Sequence, residues 1–186
     1  MAGLPGAVCA TLNDRVLTFL NRARKVTLEP LSVRDVDAYY QRAFEELDLD
    51  IPGDLRLRAA RATQGSPYML QLIGYNIGNR CKTGEHVTPE QVDGAIEASK
   101  ADFENDVCET TLAALSDQDV AFLDAMTDDE DAVSRISDVA KRMSVTPDYA
   151  QKYRRRLIDA GVIEQARRGY VRFAVPYMAD YLRSQL

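Results

Sequence analysis

Basic side chains that could contact nucleic-acid phosphates are concentrated on one predicted helix late in the chain. Thr146 is a good N-cap residue, and Pro147 fits the first helical turn because its missing N–H costs nothing there. Gly161 supplies the left-handed residue that ends the helix. The apolar residues of the helix share one stripe, made of Ala150, Tyr153, Leu157 and Ala160. The opposite face carries the polar and basic candidates for binding DNA, which are Gln151, Lys152, Arg155 and Arg156.

A β-hairpin with a basic tip is predicted directly after this helix. Residues 162–164 are strand-like, Arg167, Arg168 and Gly169 predict a turn, and residues 170–175 alternate as a strand does. Upstream, residues 135–143 show the apolar spacing of a short helix. A helix, a tight turn, a second helix and a two-stranded wing follow one another in winged helix-turn-helix domains. The pattern therefore predicts that fold, with Arg167 and Arg168 as further DNA contacts.

The charge of the chain is unevenly distributed. The 186 residues carry a formal net charge of -6, and residues 1–111 hold 12 Lys and Arg against 17 Asp and Glu. Residues 135–172 hold 10 Lys and Arg against four Asp and Glu. Because salt screens charges beyond about 10 Å, the local sign decides whether phosphate is attracted. The basic segment favours duplex DNA as a partner, while a solvated helix face and a protein-docking surface remain alternatives. Arg154 is expected to pair with Asp138 or Asp159.

The composition argues against several classes of protein. No stretch approaches about 20 apolar residues, and the N-terminus lacks a secretory pattern, so we expect a cytoplasmic protein without a membrane partner. Three cysteines, odd in number and far apart, fit reduced thiols. A single histidine, His86, provides neither zinc-ligand spacing nor a nucleophile–histidine pair. We therefore predict no metal site and no catalytic residue.

The other segments predict helices packing on helices. Ser32, Ser66, Thr88 and Ser116 each occupy a position typical of a helix N-cap. The expected fold class is mainly α, with a helical bundle over residues 32–110 and a winged helix-turn-helix domain with a small β-hairpin over residues 111–186. Residues 1–31 contain one predicted strand, and a lone strand needs sheet partners from elsewhere.

Taken together, these pieces resemble the C-terminal half of an AAA+-type P-loop ATPase. The resemblance is to bacterial and archaeal ATP-binding proteins, related in layout to origin-recognition ATPases, that join an ATPase core, a helical lid and a winged helix. It is carried by the motifs at residues 3–5, 19–31, 65–74, 153–163 and 169–176. It implies that residues 1–31 are the end of the core, 32–110 the lid domain, and 111–186 the winged helix.

The resemblance also implies a nucleotide site in a longer protein. That longer protein would bind ATP and Mg²⁺, and five residues would lie near the nucleotide, namely Arg22, Arg24, Arg61, Ser66 and Pro67. This chain departs from the family because it has no Gly-x-x-x-x-Gly-Lys-Ser/Thr and no acidic pair after an apolar strand. We therefore expect no cofactor and no ATP hydrolysis in the chain itself. Its partners would be the missing P-loop half and duplex DNA, with oligomers formed only through the full core. The alternative is an adaptor whose winged helix docks a protein.

Overall fold

The structure is a computed structural model that describes residues 29–129 and 133–185. Helices dominate, and one small antiparallel sheet of three strands lies in the C-terminal part. This confirms the mainly α class expected from the sequence. The described residues form two compact units, 29–107 and 108–185. The predicted strand near the N-terminus lies outside the described residues. No helix in the described part of the chain has both the length and the apolar character needed to cross a membrane.

The first unit contains four helices, and three of them begin directly after a cap residue that the sequence predicts. They are α1 (Val33–Glu46), α2 (Gly53–Ala62), α3 (Pro67–Arg80) and α4 (Pro89–Phe103). The Ser32 hydroxyl accepts the Asp35 N–H at 3.1 Å, and the Ser66 hydroxyl accepts the Met69 N–H at 3.3 Å. Such caps satisfy amides that have no partner inside the helix.

The core of this unit is built around Tyr40 of α1. Its ring stacks on Phe44 with centroids 5.3 Å apart, and its hydroxyl donates to the Leu70 carbonyl at 2.9 Å. Gly74 of α3 allows a close approach, since a Cβ there would lie 3.3 Å from the Tyr40 ring. Burial raises the pKa of Tyr40 far above its ordinary value. A neutral hydroxyl in this position joins α1 to α3.

The chain passes from the first unit to the second within a distorted helical segment. Residues 104–109 form a π-helical turn that leads into the short α5 (Thr110–Ala113). The elements that follow are α6 (Asp117–Thr127), β1 (Val133–Arg135), α7 (Ile136–Arg142), α8 (Pro147–Asp159), β2 (Ile163–Arg167), β3 (Tyr170–Phe173) and α9 (Met178–Gln185). Their shared core includes Phe122, Leu123, Met126, Val139, Leu157, Ile163, Val171 and Met178. The order and sheet are those of a winged-helix-like unit.

The sheet contains a strand that the sequence did not predict. Its order is β1–β3–β2, with both pairings antiparallel. Residues 135–143 were expected to be helical throughout, but Arg135 belongs to β1 and the helix starts at Ile136. A strand of three residues is too short to show a period of two. It exists because β3, more than thirty residues later, supplies its hydrogen-bond partners.

Candidate nucleic-acid interface

Helix α8 is positioned as its sequence predicts. The Thr146 hydroxyl accepts the Tyr149 N–H at 3.3 Å, and Pro147 is the first helical residue. Gly161 has a φ of 73°, in the left-handed region that ends a helix. The stripe of Ala150, Tyr153 and Leu157 is buried against the rest of the unit, and Ala160 is half-buried. The polar face is therefore turned to solvent.

That solvent face carries charges of both signs. Gln151, Lys152 and Arg155 are exposed, and neither basic residue forms an ion pair within the described chain. Asp148 and Asp159 are exposed too, and each lies four residues from Lys152 or Arg155. Residues spaced by four are neighbours on a helix surface. The positive potential of this face is consequently smaller than the count over residues 135–172 suggests.

Arg156 is held by a buried carboxylate from another helix. Its Nη2 donates to Asp119 Oδ2 at 2.7 Å, with Asp119 only 1% exposed and Arg156 52% exposed. The same oxygen accepts the Ser116 hydroxyl at 2.6 Å and the Ser116 N–H at 3.2 Å, which completes a capping box on α6. The Arg156 guanidinium also lies 5.7 Å from the Tyr153 ring centroid. Arg156 therefore joins α8 to α6, and only part of its donor set faces solvent.

Arg154 has different partners from those expected. Its Nη2 donates to the Gln165 side chain of β2 at 2.6 Å, and neither Asp138 nor Asp159 pairs with it. Asp138 instead accepts from Lys141 at 3.2 Å. Arg154 lies on the side of α8 that faces the sheet, so the expectation of an aspartate partner was wrong. The contact fixes the edge of α8 against β2.

The tip of the hairpin presents two arginines. The guanidinium of Arg167 lies 4.0 Å from the centroid of the Tyr170 ring, a cation–π contact. Arg168 is exposed in the turn, and Gly169 follows with a φ of 80° and open space around its Cβ position. The predicted basic tip is therefore present beside α8 in the same unit.

Strand register adds an arginine that sequence reasoning did not assign to the site. Arg135 pairs with Tyr170, and Tyr170 pairs with Arg167 on its other side. Directly paired residues project to the same face of a sheet. The sequence signal for Arg135 was only its place in the basic segment, since the strand that carries it was not predicted.

Three of the five residues expected near a nucleotide lie in the described part of the chain. Ser66 caps α3 and Pro67 starts it, while Arg61 is exposed in the last turn of α2. Arg22 and Arg24 lie outside the described residues. Among the residues described, no group of three His, Cys, Asp or Glu side chains could hold a metal ion.

Comparison with known proteins gives a partial family match and similarities to solved structures. A domain of unknown function, DUF8462, matches residues 105–182. No curated protein matches the sequence. The chain is similar to the Thermotoga maritima RuvB Holliday junction branch migration motor, at 17% identity and a TM-score of 0.40, over 81% of this chain. Two variants of the same RuvB give TM-scores of 0.40 and 0.39, at 17% and 16% identity, again over 81% of this chain.

The chain spans about half the length of these RuvB structures, with 48% to 49% of them covered. The similarity is to part of a longer protein. At this identity it assigns no role to any individual residue of the present chain.

Proposed function

We propose that the winged-helix-like unit binds duplex DNA through its basic residues. The observation that supports this most strongly is that Lys152, Arg155, Arg167 and Arg168 lie on one unit, on α8 and on the adjoining hairpin tip. None of the four forms an ion pair with a carboxylate in the described residues. Unpaired guanidinium and ammonium groups are free to replace the counterions that surround DNA phosphates.

In this proposal the α8 face enters the major groove and the hairpin tip approaches the backbone. Gln151 and Arg155 are of the residue types that read base edges, while Lys152, Arg167 and Arg168 would contact phosphates. Arg156 is bonded to Asp119 but remains partly exposed. We include it among the proposed DNA contacts. Each phosphate contact adds about 0.9 to the slope of log affinity against log salt.

The experiment is a titration of labelled duplex DNA with the chain at several salt concentrations. We expect binding that weakens steeply with salt, and a combined alanine variant of Lys152, Arg155, Arg167 and Arg168 that loses both affinity and slope. Since all four are exposed, their removal should leave the fold intact, which circular dichroism would verify. Unchanged binding by that variant would refute the proposed surface.

We further propose that this chain is part of an AAA+-like ATPase, in which residues 32–110 act as a lid over ATP. This rests on the sequence resemblance. In the longer protein Arg22, Arg24, Arg61, Ser66 and Pro67 would approach the nucleotide, ATP and Mg²⁺ would be held by the P-loop half, and oligomers would form through the core. The test is the genomic reading frame upstream of Met1: a Walker lysine motif there supports this parentage, and an unrelated fold there refutes it.

A second candidate function is a protein-interaction adaptor. It is favoured by the balance of charges on the solvent face of α8, where Asp148 and Asp159 accompany Lys152 and Arg155. Tyr149 is 40% exposed in the first turn of the same helix, and aromatic residues are common anchors at protein interfaces. Absence of duplex binding at low salt, together with a stable protein complex lost on Tyr149→Ala, would establish this alternative.

A further inference from the structure

We propose that the outer face of the three-stranded sheet, with Arg135 on its edge strand β1, is the principal phosphate-binding surface for duplex DNA. Here the outer face means Val133 and Arg135 of β1, Tyr170 and Arg172 of β3, and Glu164 and Arg167 of β2. This inference rests on the proposed DNA binding and changes which part of the unit carries it. The exposed face of α8 becomes the minor contributor.

The register places these side chains on one side of the sheet. Arg135, Tyr170 and Arg167 form one cross-strand row, and Arg172 pairs with Glu164 in the next. The register of β2 shifts between Gln165 and Arg167, and this irregularity brings Arg167 opposite Tyr170. The inner face is identified by Ser134 and Val171, which pair with each other and are 1% and 0% exposed. Because side chains alternate along a strand, the residues next to Ser134 and Val171 point outward.

The outer face carries a clear excess of positive charge. It has three arginines and one glutamate, and Arg168 adds a fourth arginine at the adjoining turn. Glu164 accepts from Arg172 Nε, so its charge is already engaged. Arg135 and Arg167 have no carboxylate partner in the described part of the chain. The α8 face, in contrast, sets Asp148 and Asp159 beside its two unpaired cations.

The arginines of this face are attached to a rigid frame. The Ile136 N–H donates to the Gly169 carbonyl at 3.1 Å, which ties the end of β1 to the hairpin turn. The Ser134 hydroxyl donates to the Met126 carbonyl at 3.3 Å and anchors β1 to α6. Arg167 is oriented by the Tyr170 ring. Groups that are already ordered lose little conformational entropy when they bind. Because the spacing of the strands is fixed, this surface favours a ligand whose binding groups repeat at regular intervals.

The phosphodiester backbone is that ligand. A guanidinium offers a planar fork of donors that matches two phosphate oxygens, and arginines spaced across a sheet can meet successive phosphates. Such contacts carry no base information, so the surface should bind unrelated duplexes alike. The side chain of Arg135 makes no capping bond to α7, so its removal should not unfold that helix.

The experiment measures anisotropy of two unrelated labelled duplexes of equal length over a range of KCl concentrations. Arg135→Ala should weaken binding to both by about 3- to 10-fold at low salt and reduce the log–log slope by about 0.9. Arg135→Lys should keep the slope. The double variant Arg135→Ala/Arg167→Ala should lose more affinity than Lys152→Ala/Arg155→Ala. Arg42→Ala, an equal charge change on an exposed position of α1 in the other unit, should have no effect.

Two results would overturn the inference while leaving DNA binding intact. One is wild-type affinity and slope in Arg135→Ala; the other is a larger loss from the α8 pair than from the sheet pair. An Arg135→Ala effect on only one duplex would indicate base reading and would also overturn it. If the wild-type chain bound neither duplex at low salt, the proposed function itself would fall and this inference with it.

Discussion

The pairing of Asp119 with Arg156 allows a quantitative test of how α8 is held. Asp119 is 1% exposed, and its Oδ2 accepts from Ser116 and from Arg156. Removing one partner of a fully buried ion pair costs about 3–5 kcal/mol, whereas exposed pairs contribute about 0.2–1 kcal/mol. Arg156 is 52% exposed, so water can reach the carboxylate once the guanidinium is gone. We therefore expect Arg156→Ala to lower the free energy of unfolding by about 1–2 kcal/mol.

Asp119→Ala should lower the free energy of unfolding by more than Arg156→Ala does, because it removes the capping box as well as the ion pair. Loss of a capping side chain is worth about 1 kcal/mol, which gives a total of about 2–3 kcal/mol. The double variant should then be little worse than Asp119→Ala alone, so the coupling energy should be about 1–2 kcal/mol. Urea denaturation followed by circular dichroism supplies the four free energies of the cycle.

A matched control is the exposed pair of Lys141 with Asp138 in the same unit, whose cycle should give at most about 0.5 kcal/mol. If the coupling of Asp119 with Arg156 were no larger than that of the control, the reasoning from burial would be refuted. Arg156 would then be an ordinary surface arginine, fully available to a ligand.

Three further predictions concern other parts of the described chain. Tyr40→Phe should lower the free energy of unfolding by about 1–2 kcal/mol, measured by urea denaturation, because the buried Leu70 carbonyl loses its donor. Two hydrogen bonds from Arg142 lower the pKa of Asp129, so this contribution to stability is present above the ordinary aspartate pKa and is lost as pH falls through the lowered value. Arg142→Ala should raise that pKa in an NMR titration, and an unchanged value would contradict the assignment. Gly65→Ala should lower the free energy of unfolding by about 1–3 kcal/mol, which a thermal melt would show as a lower Tm. The reason is that Gly65 has a φ of 77° and an added Cβ would meet backbone and side-chain atoms within 3.0 Å.

Local signals in the sequence were sufficient for the helices that carry the proposed site. The Thr146 cap, Pro147 and the left-handed Gly161 defined α8, and the structure has that helix at Pro147–Asp159. The basic hairpin tip was also predictable, because a turn and two alternating strands lie within a dozen residues. These features depend on interactions over a few residues, so a single sequence displays them.

Tertiary structure decided which basic residues are available and which are engaged. Asp119, 37 residues before Arg156 in the chain, captures one of the predicted DNA contacts. Pairing of β1 with β3 places Arg135, which the sequence did not single out, beside Tyr170, and Arg167 lies on the other side of Tyr170. Charge counts and helical periodicity contain no information about such long-range partners, because an ion pair or strand register is chosen only when distant segments pack together. The sequence alone thus determined the elements and their overall charge, and packing determined where the unpaired positive charge lies.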